Sequence, residues 1–241
     1  MFSYASIKTA EQHPLASFRN PVDGPELRVV QSFCEELSAG PWGDMATTVF
    51  VEPKIHGCFP DLVIVRWDPE VTETWSAARA ALETGDTYWL HYINELGAVD
   101  RQTICQRQGN KRGANTWERL ASANVAVPVH DELRRKPLAE VYAVKRLIAV
   151  EAKVGNWRRG LEQAFQNTWF ASESYLLLDQ LGKKNGLFER ADELGIGLLQ
   201  PDSSFDSCPL PAKRGALPLS HASWLFNESV WRSYPSSIAK H

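Results

Sequence analysis

Residues 147–165, LIAVEAKVGNWRRGLEQAF, constrain the fold more than any other stretch of the chain. Side chains alternate along a strand. One face of the apolar run carries Ile148, Val150, Ala152 and Val154 and must pack against a helix layer. The other carries Leu147, Ala149, Glu151 and Lys153, so it begins apolar and turns charged at its C-terminal end. Burying charge costs several kcal/mol unless it is paired or bound to metal. The charged end of an otherwise buried strand therefore marks either a strand-end ion pair or a site. Gly155 makes the turn, and Asn156 caps a helix expected from Trp157 to about Ser172.

The rest of the chain supplies partners for that strand. Residues 25–39 read as a helix, with Pro25 at its start, Gly40 at its stop, and Leu27, Val30, Phe33, Cys34 and Leu37 at helical spacing. ATTVFVEPKI and CFPDLVIVRW read as two strands about a His56-Gly57 turn. After the central strand come a strand (SYLLLD), a helix (GLFERADELG), a strand (IGLLQPD), a Pro- and Ser-rich loop over 201–220, and a final helix (HASWLFNESVWRSY). This order defines an α/β fold. Residues 71–145 do not fit it. They read as a small helical domain inserted between two parts of a core, residues 1–70 and 146–241.

At 241 residues and 44% hydrophobic, the chain can build a sizeable core. No apolar run approaches the ~20 residues that span a bilayer, and the N-terminal residues lack the apolar centre of a signal peptide. Cys34, Cys58, Cys105 and Cys208 are scattered, with no CxxC pair, so a zinc ribbon and a disulfide framework are not implied. A cytoplasmic protein without a membrane partner is expected. The net charge of −3 conceals an asymmetry. Between Asp100 and Arg146 ten basic residues face five acidic ones, a net +5, which leaves −8 for the remainder. The inserted segment is thus suited to an anionic partner.

Asp61 sits in GCFPDLVIVRW, after Pro60 and at the start of an apolar strand. Mg²⁺ takes one or two carboxylates, waters and substrate phosphate. Asp61 and Glu151 can supply the carboxylates, and Lys153 lies on the same face as Glu151. Pro60-Asp61 followed by Glu151-Ala152-Lys153 resembles the PD-(D/E)XK nuclease superfamily, the restriction-endonuclease-like fold. The resemblance covers residues 25–66 and 146–200 and implies a mixed central sheet flanked by helices. It further implies Mg²⁺ or Mn²⁺ held by Asp61 and Glu151, with Lys153 orienting the nucleophile and stabilising charge on the phosphate. The gap of about 90 residues between the motif's halves is longer than usual for the family. Members often carry a glutamate on the first helix. Glu26 lies within the arc of Val30, Phe33 and Leu37, so it is either a metal-facing carboxylate or a charge favourable to the helix N-terminus. Members also often carry a glutamine on the helix after Glu-x-Lys. Gln163 matches by position, on a polar face with Arg159, Gln166 and Asn167 that looks toward a nucleic-acid groove or into solvent. Many members cut as dimers, so the resemblance allows a homodimer.

Within the insert, Asp100 caps a short helix, GNKRG reads as a turn, and Ala114–Asn124 reads as a second helix. VAVPVHDE and LAEVYAV read as strands flanking a basic tip, LRRK. The pattern resembles a winged helix. That resemblance implies DNA contact through Lys111, Arg112, Asn115, Thr116 and Arg119, and through Arg134, Arg135 and Lys136 on the wing. The sequence thus points to a metal-dependent DNA endonuclease. The alternative is a DNA-binding or regulatory protein that keeps the fold without cleaving.

Overall fold

The computed structural model describes residues 2–12, 15–39, 45–182, 184–217 and 219–232. In chain order the first elements are β1 (Phe2–Ala5), α1 (Pro25–Ala39), β2 (Ala46–Val51), β3 (Leu62–Trp67), α2 (Pro69–Glu73), α3 (Thr84–Leu96), β4 (Ala98–Asp100), α4 (Arg101–Gln108) and α5 (Asn110–Ser122). They are followed by β5 (Ala126–Val129), β6 (Glu132–Arg135), α6 (Leu138–Val141), β7 (Val144–Lys153), α7 (Trp157–Gln166), β8 (Glu173–Leu178), α8 (Leu187–Leu194), β9 (Gly197–Leu199) and α9 (His221–Arg232). The expected helix stop at Gly40, and Ser233 and Tyr234 at the expected end of the last helix, lie outside the described residues. No helix among the described residues is long and apolar enough to cross a membrane.

The chain divides into two compact units, residues 1–67 with 145–218 and residues 68–144 with 219–241. The first is a mixed sheet of order β1-β2-β3-β7-β8-β9 flanked by helices. β1 runs parallel to β2, β2 antiparallel to β3, and β7, β8 and β9 run parallel. Strand alternation sets the two layers. Ile148, Val150 and Ala152 pack with Val29, Val30, Phe33 and Leu37 of α1, as the sequence pattern requires, whereas Val154, expected on the same face, lies beyond the end of β7 and is exposed. On the opposite face, Leu176, Leu178 and Leu198 pack with Leu161 and Ala164 of α7 and Leu187 and Ala191 of α8. Gly160 lets α7 approach the sheet, because a Cβ there would stand 2.6 Å from Leu176 Cδ1 and 2.8 Å from Lys153 Cγ. α7 ends at Gln166 rather than near Ser172, and a 3₁₀ turn, Asn167–Trp169, follows it.

The second unit runs helix–strand–helix–helix–strand–strand from α3 to β6, with sheet order β4-β6-β5. Asp100 caps α4, accepting from Thr103 N at 2.7 Å. Two details differ from the sequence reading. NKRG is the first turn of α5 and not a loop; Gly109, at φ +84, makes the whole turn between α4 and α5. LRRK is not a wing tip. Arg134 and Arg135 lie within β6, the β5–β6 turn is His130-Asp131, and Leu138–Val141 is helical. Gly113 allows α4 and α5 to cross closely, since a Cβ would sit 2.5 Å from Cys105 Cα.

The last helix, α9, belongs to this second unit and not to the unit of the six-stranded sheet, where the sequence order would place it. Arg79 and Glu228, both fully buried, explain why. Arg79 donates through Nε to Glu228 Oε2 (2.8 Å) and through Nη2 to Glu228 Oε1 (2.6 Å) and Val141 O (2.7 Å). Its guanidinium lies 3.3 Å from the centre of the Trp75 ring. Trp224 is buried against Tyr142, and Trp231 meets Trp75 edge to face, so both pack within the unit.

Candidate active site

Three elements bring the predicted acidic residues together. Asp61 stands one residue before β3. Its Oδ2 accepts from the backbone N–H of Ala152 at 2.7 Å, which ties it to the β7 segment bearing Glu151 and Lys153. Glu151 is 4% exposed, and its Oε1 accepts from Asn167 Nδ2 at 2.8 Å. Lys153 Nζ donates to Ala152 O at 2.8 Å and stands 3.6 Å from Glu26 Oε2. Glu26 is half-exposed at the start of α1, on the inner side that its helical position predicts.

These groups line one pocket of about 250 Å³, together with Arg19, Glu52, Phe59 and Gln163. Gln163 faces this pocket, not open solvent, and its buried Oε1 has no hydrogen-bond partner among the described residues.

Three residues of the site were not singled out from the sequence. Glu52 is buried just after β2, and its N–H donates to Asp61 O at 2.9 Å. Its φ of +53 is left-handed, which costs a non-glycine residue ~1–2 kcal/mol. Strain of this kind persists where surrounding contacts over-determine the backbone. Arg19 donates through Nε to Glu52 Oε2 at 2.9 Å, with a second, shorter contact from Nη2 to the same oxygen. Asn167 is the third. The sequence places it only on the polar face of the helix with Gln163, without a role of its own.

The electrostatics follow from burial. Desolvation raises the proton affinity of Glu151, and the neighbouring Asp61 charge raises it further; Asn167 and Lys153 oppose the rise. Asp61 is also pushed up, chiefly by burial, against the Ala152 hydrogen bond and the Lys153 charge. Glu52 is raised by burial and by Asp61, against Arg19. Buried acids that hold their protons this way gain from a divalent cation, which displaces the protons and relieves the repulsion.

The residues fit a hard cation in one specific sense. Oδ1 of Asp61 and Oε2 of Glu151 carry no hydrogen bond among the described residues, giving two carboxylate oxygens on one pocket. Two carboxylates plus water and phosphate suffice for Mg²⁺. Among the described residues, no three His, Cys, Asp or Glu side chains form a ready-made cage.

The nucleic-acid residues expected on the second unit divide. Lys111, Arg112 and Asn115 are exposed along α5, and Arg134 and Arg135 are exposed on β6. Thr116 is buried and bonds Gln108 Oε1 at 2.8 Å, so it faces the unit's interior. Arg119 is held by both oxygens of Asp86, at 2.8 and 2.9 Å, and Lys136 by Glu140 and Asn124. These three brace the unit instead of presenting to a groove. Arg134 is paired with Glu132 at 3.0 Å in an exposed setting where such pairs break readily.

No family model, curated protein or solved structure matches the chain.

Proposed function

We propose that the protein is a Mg²⁺-dependent nuclease of the PD-(D/E)XK type that hydrolyses DNA phosphodiester bonds. One observation carries the reading. Asp61 and Glu151, 90 positions apart in the chain, meet beside Lys153 in one pocket, joined by the Asp61–Ala152 hydrogen bond. A strand-end ion pair accounts for Glu151 or Lys153 singly, but not for two uncommitted carboxylate oxygens on a shared pocket.

In this reading Asp61 and Glu151 hold the ion, and Mn²⁺ can replace Mg²⁺. The bound metal supplies Lewis-acid stabilisation of charge at the scissile phosphate. Asn167 fixes the Glu151 carboxylate. Lys153 turns from Ala152 O toward a non-bridging phosphate oxygen, where an amine stabilises the extra charge of the transition state. Gln163, with its unpartnered amide oxygen, positions water at the pocket wall.

The second unit supplies DNA contact. Its helix–strand–helix–helix–strand–strand order, with β6 between β4 and β5, supports a winged helix. α5 is then the recognition helix, presenting Lys111, Arg112 and Asn115 to the major groove, with Arg134 and Arg135 at the backbone.

The test is supercoiled plasmid with Mg²⁺ or Mn²⁺. Wild type should nick it, while Glu151→Ala and Lys153→Ala should be at least ~100-fold slower with unchanged melting profiles. Nicking that survives both substitutions rejects the site. Salt-dependent DNA binding by wild type without nicking assigns the non-catalytic alternative.

A further inference from the structure

The nuclease reading leaves Arg19 and Glu52 without a role, although both line the pocket. Their placement is built. The segment before α1 pairs with the residues after β2: Arg19 N donates to Glu52 O at 2.9 Å, and Lys54 N donates to Ser17 O at 2.8 Å. Glu52 takes both Arg19 contacts on a single oxygen, and the guanidinium lies 5.0 Å from the centre of the Phe59 ring. Nη1 has no hydrogen-bond partner among the described residues, and the side chain is 43% exposed. The guanidinium is therefore fixed on one edge and open on the other.

The charge balance of the pocket gives that open edge a purpose. Four carboxylates (Glu26, Glu52, Asp61, Glu151) face two cations (Arg19, Lys153), a formal charge of −2. One divalent ion brings the pocket to neutrality. Without Arg19 the same ion leaves −1, and an incoming phosphodiester meets like charge.

We propose that Arg19, oriented by Glu52 and Phe59, is the substrate-phosphate contact of this pocket, binding a phosphodiester anion once a divalent cation is present. The proposal rests on the nuclease reading. It assigns Arg19 to the substrate's anion and not to the metal. Arg19 repels a cation in the pocket and attracts a phosphate, so its removal must move the two affinities in opposite directions. A residue that merely braced the N-terminal segment would lower both.

The experiment uses the full chain as wild type, Arg19→Ala, Arg19→Lys and Lys54→Ala, the last an exposed charge on the segment paired with residues 17–19 that does not line the pocket. Mn²⁺ binding is titrated calorimetrically. Binding of the dinucleotide TpT, which carries one phosphodiester, is measured in Ca²⁺. R19A should bind Mn²⁺ at least as tightly as wild type and TpT about tenfold more weakly, the scale of one charge-assisted hydrogen bond. R19K should fall between R19A and wild type, and K54A should match wild type in both titrations. TpT binding by R19A within twofold of wild type overturns the proposal, as does parallel loss of Mn²⁺ and TpT in R19A and R19K. Wild type that takes up no Mn²⁺ overturns the nuclease reading itself. Wild type that binds Mn²⁺ and nicks plasmid while R19A binds TpT normally overturns only the role of Arg19.

Discussion

Glu151→Gln should stabilise the protein at alkaline pH. The substitution keeps the side chain's shape and an amide oxygen for Asn167 Nδ2, and removes only the ability to ionise. The wild-type carboxyl is pushed from 4.5 to about 8, first by burial and then by Asp61. Between those two values the folded chain holds a proton that the unfolded chain has released. The contribution to stability is whole below 4.5 and is lost as pH rises through about 8. A tenfold change in proton affinity is about 1.4 kcal/mol, which sets a ceiling of about 5 kcal/mol on the loss. Water at the pocket mouth and local relaxation reduce it, so a gain of ~1–3 kcal/mol for E151Q at pH 8.5 is expected. At pH 4.5 the two proteins should agree within ~0.5 kcal/mol. Urea unfolding at the two pH values, in EDTA, measures the difference. E151Q no more stable than wild type at pH 8.5, or stabilised equally at both, would refute the account of a strained buried acid. Stabilisation by removal of a functional group is expected where a site is built against stability.

Other outcomes follow from single contacts. Glu228→Ala leaves Arg79 buried without its counter-ion and should cost about 3–5 kcal/mol in urea unfolding. Gly113→Ala forces a Cβ to within 2.5 Å of Cys105 Cα and should cost about 1–3 kcal/mol by separating α4 from α5, read as a lowered melting temperature. If α5 enters the major groove, Lys111→Ala and Arg112→Ala should each reduce the slope of log affinity against log salt for DNA by about one. Thr116→Val should leave that slope unchanged, because Thr116 points inward.

The core and the pair Glu151–Lys153 were legible because strand alternation is a local property. Eight residues sufficed to place Ile148 against α1 and Glu151 on the opposite face. Asp61 was visible for a similar reason, as a carboxylate at the mouth of an apolar strand. Glu52 was not. It follows β2 in a left-handed conformation, and the strand period does not report where a residue at φ +53 points its side chain. Arg19 was hidden because its pairing with residues 52–54 is long-range and lies in a stretch with no periodicity. The excess of basic residues in the insert is a property of the sequence, and it does not say which side chains are unpaired. Composition does not distinguish Lys111, which is free to contact a partner, from Arg119, which is consumed by Asp86. The last helix was recognised as a helix, but an amphipathic pattern does not name its core. That choice was made by Glu228, whose partner Arg79 lies 149 positions earlier.

That late return of the chain governs how the protein can be made. Residues 68–144 contain Arg79 and Trp75 but lack Glu228, Trp224 and Trp231, so a fragment cut at its apparent boundaries carries a buried cation with nothing to neutralise it. On the ribosome the insert emerges long before α9 and must wait, incomplete, until α9 has been synthesised. The sheet bearing the acidic pocket waits too, though less long, for β7 to β9. Neither unit matures as an independent bead, and truncations that remove α9 should cripple the insert first.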